Sequence, residues 1–314
     1  MKSSQQRCPI TYEPIGPGQR YSLAGLKRLA PGLLNLHDLP YSAEEQLVEA
    51  GRRSSKMSIQ GVQPKLSARL SIKSGVFELV DQGGTYILKP PHPQYSFLPQ
   101  NEDLCMRLAA AFKIDVPLHG LIYAADGSLT YFIRRFDRYG RAGKRMLEDF
   151  AQLSGLSRET KYDSSMERVV TVIDEHCTFP ILEKIKLFRR LLFCYIAGNE
   201  DMHLKNFSLL GIAGTIILSP AYDMVSTALF YGEDAEELAL PLRGKKKHLT
   251  KNDLLHYFAK DRLGLSPAVI KEIVAELEQV LPVWAETISA SFLPESSKEA
   301  LQALIGRRAE TLVK

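Results

Sequence analysis

The chain has 314 residues, enough for one large domain or for two lobes with separate cores, and its 45% hydrophobic and 24% charged content fits a folded soluble protein, not a disordered or fibrous one. No apolar run approaches the ~18 to 20 residues that span a bilayer, and Met1 to Arg7 lead into no signal-peptide core, so a cytoplasmic protein without membrane contact is expected. The scattered Cys8, Cys105, Cys177 and Cys194 point to neither a disulfide framework nor zinc, while a net charge of +4 suits an acidic partner such as nucleic acid or an ordinary surface equally well.

Residues 1–56 hold turn signals at Gly16-Pro-Gly18 and Pro31-Gly32, with short helices predicted over 21–29 and 43–50. Next, Leu66, Ala68, Leu70 and Ile72 alternate with Ser67, Arg69 and Ser71, which predicts a half-buried strand leaving a turn that contains Gly61. Strand, small-residue turn, strand is how a phosphate-covering loop is built, but a single glycine serves an ordinary hairpin with an exposed Ser58 as well. Residues 77–80 and 85–89 read as two further strands joined across the turn Asp81-Gln-Gly-Gly84.

Lys89 closes an apolar strand, where a long cation needs either solvent or an anionic partner. A helix predicted over 100–112 carries Glu102 in its first turn, with Leu104, Leu108 and Phe112 on one face. A strand lysine followed by a helix glutamate is an arrangement that holds nucleotide phosphates; the alternative is a surface lysine at a strand end. A hairpin is expected over 121–123 and 129–134, followed by a basic stretch to Arg141. Met146-Leu-Glu-Asp-Phe150 then joins a β-rich part to an α-rich part, which suits a hinge whose backbone reads a base edge, or a plain helix start.

Residues 181–197 place apolar side chains at helical spacing between Pro180 and Gly198, and 207–212 and 215–218 form a predicted hairpin around Ala213-Gly214. Between them Asp201 precedes Asn206 by five positions, the D-x-x-x-x-N spacing of a kinase catalytic loop, and Asp223 follows the hairpin. A carboxylate at Asp201 can accept the proton of an attacking hydroxyl, the amide oxygen of Asn206 can ligate Mg²⁺, and Asp223 can hold the same metal against nucleotide phosphates. Lys205 sits where a cation offsets charge on the transferred group, and His203 stands behind the metal or against the nucleotide. Asp, Asn and Gly are also ordinary loop residues, so a loop without chemistry is the competing reading. Arg243-Gly-Lys-Lys-Lys-His248 is a solvated loop or a phosphate-contacting patch. Helices opened by Ser266-Pro267 and spanning 297–313, with Trp284 and Phe292, are expected to be core.

Taken together, these residues resemble the HipA-type serine/threonine kinases, the toxins of bacterial toxin–antitoxin modules. The match runs from about residue 58 to 247 through Ser58-x-x-Gly61-x-Gln63-x-Lys65, Tyr86-Ile-Leu-Lys89, Asn101-Glu102, Arg135-Phe-Asp137-Arg138, Glu148-Asp149, Asp201-x-His203-x-Lys205-Asn206-Phe-Ser208 and Tyr222-Asp223. The resemblance implies an α+β, two-lobed protein-kinase-like fold. Its β-rich N-lobe would cover 1–147, with the Ser/Gly loop and the ATP lysine, and its mostly α-helical C-lobe 148–314, with the catalytic and metal-binding loops. ATP and Mg²⁺ are the implied cofactors, with Asp201 and Lys205 catalytic, Lys89 and Glu102 serving the phosphates, and Asn206 and Asp223 at the metal. Further ATP contacts are implied for Gln60, Gly61, Val62, Gln63, Lys65 and His203 and for the hinge from Glu148 to Phe150. In this family the loop serine, here Ser58, is an autophosphorylation site that controls closure of the loop over ATP.

Only 57 residues precede Ser58, too few for the extra N-terminal subdomain of the long HipA form, so the chain looks like the shorter HipT form. In those systems a small HipS-like antitoxin resembles the missing subdomain and a HipB-like protein binds DNA, which would make any DNA contact here indirect. Family members phosphorylate aminoacyl-tRNA synthetases and so inhibit translation. Two alternatives remain at this point, a small-molecule kinase on the same fold and a non-catalytic subunit of a DNA-bound repressor complex.

Overall fold

A computed structural model describes residues 6–53, 63–140, 142–156, 160–232 and 236–313. The chain is α+β and divides into two compact units. One comprises Met1–Leu104, Pro117–Arg138 and Ala290–Leu293, the other Cys105–Val116, Tyr139–Ser289 and Pro294–Lys314.

The first unit opens with α1 (Leu23–Leu29), whose Ser22 hydroxyl accepts from the Gly25 N–H at 3.0 Å, and α2 (Ala43–Arg53). Its centre is a five-stranded antiparallel sheet of β1 (Leu66–Ser71), β2 (Val76–Leu79), β3 (Tyr86–Lys89), β4 (His119–Tyr123) and β5 (Leu129–Arg134). The helix α3 (Leu98–Ala111) lies between β3 and β4 in sequence. The strand order β2-β1-β3-β5-β4 corrects the expected pairing across Asp81–Gly84. Here β1 stands between β2 and β3, with Ala68 opposite Leu79 on one side and Tyr86 on the other. The connection folds around β1 because its backbone is satisfied there: the Val80 and Thr85 N–H groups donate to the Ser67 and Ala68 carbonyls, each at 2.9 Å.

Leu66, Ala68, Phe77, Leu88, Ile122 and Phe132 from the sheet pack with Ile10, Leu26, Leu29, Leu33 and Leu36 in one apolar cluster. The predicted alternation in β1 is not kept: Leu66 and Ala68 are fully buried as expected, but Ser67 between them is buried too, and Ile72 past the strand end is 51% exposed. Gly120 is required by this packing, since a Cβ there would lie 2.9 Å from the Phe132 ring and 3.3 Å from the Ile10 Cα.

The second unit is mostly helical. A short ribbon of β6 (Arg138–Tyr139) and β7 (Gly143–Lys144) leads to β8 (Leu147–Asp149) and α4 (Phe150–Leu153), then α5 (Met166–His176) and α6 (Pro180–Ala197). The hairpin β9 (Ser208–Ile212) and β10 (Thr215–Leu218) pairs with β8 in the order β10-β9-β8, and α7 (Ala228–Tyr231) follows. A π-helical segment, Asn252–Arg262, precedes α8 (Pro267–Ala290) and α9 (Glu295–Val313).

The last turns of α6 are buried on every side, as befits a helix without a polar face, and it packs against α5 and α9. Trp284 of α8 is fully buried, with Phe112 and Phe193 edge-on to its indole at 6.1 and 5.7 Å and its N–H on the Leu108 carbonyl at 2.8 Å. Phe292 is half-buried, edge-on to Tyr12 of the first unit's core.

Candidate active site

In the first unit the chemistry gathers on the sheet face opposite the apolar cluster. Lys89 stands across from Tyr131 in the β3–β5 ladder, and paired residues of a ladder share a face. Its Nζ lies 5.6 Å from the centre of the Tyr131 ring and donates to Glu102 Oε1 at 2.5 Å. Lys89 is 2% exposed and Glu102 fully buried, which excludes the surface-lysine reading. Glu102 lies one turn inside α3, which begins at Leu98, and not in the first turn as the sequence suggested. Its neighbour Asp103 meets His119 Nδ1 at 2.8 Å. Arg135 grips Asp137 in a fork of 2.9 and 2.8 Å bonds. Burial opposes ionisation of Asp137, but the Arg135 hydrogen bond and charge outweigh it and hold its pKa below the ordinary range.

In the second unit α6 ends at Gly198, which takes φ 72° and turns the chain into the loop. A Cβ at this position would lie 2.7 Å from both the Ala228 Cβ and a Leu304 methyl. The fully buried Asn199 accepts the Asp201 N–H at 3.0 Å, and Thr227 Oγ1 accepts the Glu200 N–H at 2.8 Å while donating to the Gly198 carbonyl at 3.0 Å. Asn206 donates its amide N–H to the Asp201 carbonyl at 2.8 Å, which leaves Oδ1 as the atom a cation can take. The Asp201 carboxylate is 50% exposed and accepts the Tyr162 hydroxyl.

His203 is 5% exposed, its Nε2 meets Lys161 Nζ at 2.6 Å, and Nδ1 has no hydrogen-bond partner among the described residues. Burial pushes its pKa below the ordinary value, with the Lys161 charge adding to this against the pull of Asp201, so the neutral ring accepts the lysine proton. Lys205 Nζ donates to Asp149 Oδ2 at 2.9 Å. Asp149 also caps α4, Oδ1 accepting the Gln152 N–H at 2.9 Å, so one carboxylate joins the loop to the β8–α4 corner. The Tyr222 hydroxyl bonds Ser208 Oγ at 2.5 Å and donates to the Lys205 carbonyl at 3.0 Å. These bonds anchor the segment in which Asp223 takes φ 54°, a left-handed conformation uncommon outside glycine and enriched in Asp and Asn.

Of the remaining predicted residues, Ser58, Gln60, Gly61 and Val62 lie outside the described residues. Gln63 and Lys65 are half-buried just ahead of β1. Glu148 is exposed, whereas Phe150 is buried with its N–H on the Phe207 carbonyl at 2.9 Å and its carbonyl accepting from Ser154 at 3.0 Å. Both main-chain groups of Phe150 are thus engaged inside the unit. Within the basic stretch, Lys245 and Arg243 reach Asp253 at 3.2 and 3.7 Å, and Lys246 reaches Glu236 at 3.1 Å. Tyr162, Lys161, Asn199 and Thr227 are site residues the sequence did not reveal. Among the described residues no cluster of three or more His, Cys, Asp or Glu side chains could hold a metal by itself. One amide oxygen and one carboxylate are the donor set expected for Mg²⁺, which keeps waters and takes phosphate oxygens as further ligands.

Residues 57–284 match the family model of the HipA-like C-terminal domain. A Haemophilus influenzae protein named "Putative kinase" is 31% identical over 325 residues, covering 92% of each chain. The serine/threonine-protein kinase toxin HipA of Shewanella oneidensis is 28% identical over 201 residues, 58% of this chain and 45% of that protein. Among solved structures, the Shewanella oneidensis toxin–antitoxin complex of HipA, HipB and operator DNA contains a chain that superimposes with a TM-score of 0.66 at 22% identity, covering 95% of this chain and 82% of its own. The Helicobacter pylori proinflammatory kinase CtkA superimposes at 0.53 and 16% identity, covering 80% and 90%. Both likenesses concern the fold, which is the protein-kinase-like α+β fold of these two proteins.

Proposed function

The chain belongs to the HipA-like C-terminal domain family, and on that premise we propose that it is an ATP- and Mg²⁺-dependent serine/threonine protein kinase. The observation that carries this reading is the 201–206 loop, where the Asp201 carboxylate faces outward onto a hydroxyl while the Asp201 carbonyl holds Asn206. One peptide unit therefore sets the proton acceptor and the metal-facing amide in fixed relation.

In the proposed reaction Asp201 orients the acceptor hydroxyl and takes its proton, and Asn206 and Asp223 hold Mg²⁺. Lys89, held by Glu102, neutralises phosphate oxygens, and the Mg²⁺ when bound offsets charge on the transferred phosphoryl group. Lys205 serves through Asp149, keeping the loop against the β8–α4 corner, and His203 supports the loop as a neutral acceptor for Lys161. ATP is proposed to meet Gln60, Gly61, Val62, Gln63 and Lys65 as well, with the hinge contact falling to Glu148 and Phe150 acting as its packing anchor. Phosphorylation of Ser58 would add about −1.5 to −2 charges beside the phosphate site, so Ser58→Asp is expected to weaken ATP binding.

The finer reading is a cytoplasmic toxin that phosphorylates an aminoacyl-tRNA synthetase and inhibits translation, held by HipS-like and HipB-like partners. Support for it comes from the toxin–antitoxin context of the Shewanella oneidensis HipA relative. The test is incubation of a cell lysate with labelled ATP and Mg²⁺, comparing wild type with Asp201→Ala and identifying labelled proteins by mass spectrometry. Label on a synthetase that disappears in the variant is the expected result; label on metabolites alone would favour a small-molecule kinase.

A further inference from the structure

The Tyr162 hydroxyl occupies the place that a substrate hydroxyl must take. It donates to Oδ1 of Asp201, whose carboxylate is proposed above as the proton acceptor of the transfer reaction. The ring stands edge-on to His203, with centroids 5.0 Å apart and an interplanar angle of 86°. Two ammonium groups flank it, Lys161 Nζ at 4.9 Å and Lys246 Nζ at 6.0 Å from the ring centre. Tyr162 is nevertheless 38% exposed, so its oxygen is not sealed in the core. An acceptor oxygen, a base already on its proton and nearby cations to receive a product are the parts that phosphoryl transfer requires.

We propose that Tyr162 is an intramolecular phosphate acceptor, a tyrosine autophosphorylation site served by Asp201. The inference rests on the kinase reading above and adds an acceptor that the family resemblance does not supply. In the reaction the Tyr162 oxygen bonds to the γ-phosphorus of ATP, the bond from that phosphorus to the β,γ-bridging oxygen breaks, and ADP leaves. The phenolic proton passes to the Asp201 carboxylate and then to solvent. A base is necessary here because burial, and then the Asp201 hydrogen bond and charge, hold the phenol in its protonated form.

The product has a structural consequence. A phosphotyrosine carries about −1.5 to −2 charges at neutral pH, which repels it from Asp201 and draws it to the lysines beside the ring. Modification would convert a base occupied by its own chain into one open to an incoming hydroxyl.

The experiment is incubation of the full chain with Mg²⁺ and ATP, followed by intact mass and peptide mass spectrometry, for wild type, Tyr162→Phe and Asp201→Ala. The expected result is one phosphate on the Tyr162 peptide of the wild type, formed at a rate constant independent of protein dilution and lost in both variants. Phosphate on serine with Tyr162 unmodified would overturn the proposal and leave the kinase reading standing. No phosphate on any residue or added protein, despite measurable ATP binding, would overturn both. Tyr162 labelling whose rate constant rises with protein concentration would overturn the intramolecular step.

Discussion

Replacing Lys89 with methionine removes an ammonium while leaving an apolar stem against the Tyr131 ring. The carboxylate it serves is fully buried and 2.5 Å away, so Lys89→Met takes the counter-charge from a group that solvent does not reach. Breaking a buried ion pair from one side costs about 3–5 kcal/mol, a large share of a native stability of about 5–15 kcal/mol. Glu102→Leu alone should cost a comparable amount by removing the carboxylate that the buried lysine donates to. The double variant Lys89→Met with Glu102→Leu should recover most of the loss, because apolar replacement of a whole buried pair is neutral or stabilising by about 1–4 kcal/mol. Urea denaturation followed by circular dichroism on the four proteins gives the coupling as a double-mutant cycle. A cost below about 1 kcal/mol for Lys89→Met, the level of an exposed pair, would refute the reasoning and return Lys89 to the surface.

Lowering the pH tests His203, whose pKa lies below its ordinary 6.5 because of burial. The unfolded chain takes this proton more readily, so the contribution is fully present above pH 6.5 and is lost as pH falls from there toward the folded value. Each pKa unit of difference is worth about 1.4 kcal/mol, and His203→Gln should flatten the fall of urea midpoints below pH 6.5 relative to wild type. Asp149→Ala removes both a helix cap and the Lys205 partner and should cost about 0.5–2 kcal/mol. Lys205→Ala spares the cap and breaks a pair that is 22% and 17% exposed, so it should cost less than about 1 kcal/mol while lowering phosphoryl transfer more than its stability effect explains. Gly198→Ala should destabilise by more than ~1 kcal/mol, and by more than Gly214→Ala. Both glycines have positive φ, but only at Gly198 does the added Cβ meet side chains, so thermal denaturation of the two isolates the clash.

What the sequence revealed follows from the range of the signals involved. Helix α6 and the β9–β10 hairpin were legible because Pro180, Gly198 and the Ala213-Gly214 turn punctuate apolar runs locally. The insertion of β1 between β2 and β3 was not, since strand order depends on pairing across the sheet and Asp81–Gly84 offered a plausible turn. Lys89 and Glu102 were legible as a pair, but their burial was not, because a strand-end lysine looks the same on either side of a sheet edge. Asp201, Asn206 and Asp223 were marked by spacing. Tyr162 was not, as it lies 39 positions before Asp201 and carries no motif. The pairing within the basic stretch was not legible either, since Asp253 and Glu236, which meet Arg243, Lys245 and Lys246, stand outside it in sequence.

The central claim assigns Asp201 to proton transfer and Asn206 to the metal, and Asp201→Ala separates the two because Asn206 is held by the Asp201 backbone carbonyl, which alanine retains. The most direct measurement is single-turnover transfer of the γ-phosphate from bound Mg²⁺–ATP, with nucleotide affinity measured on the same proteins. The account predicts affinity close to wild type in Asp201→Ala and a fall in transfer of roughly 10²–10⁴-fold. Transfer that persists in the variant, or that declines only in step with lost nucleotide binding, would contradict it.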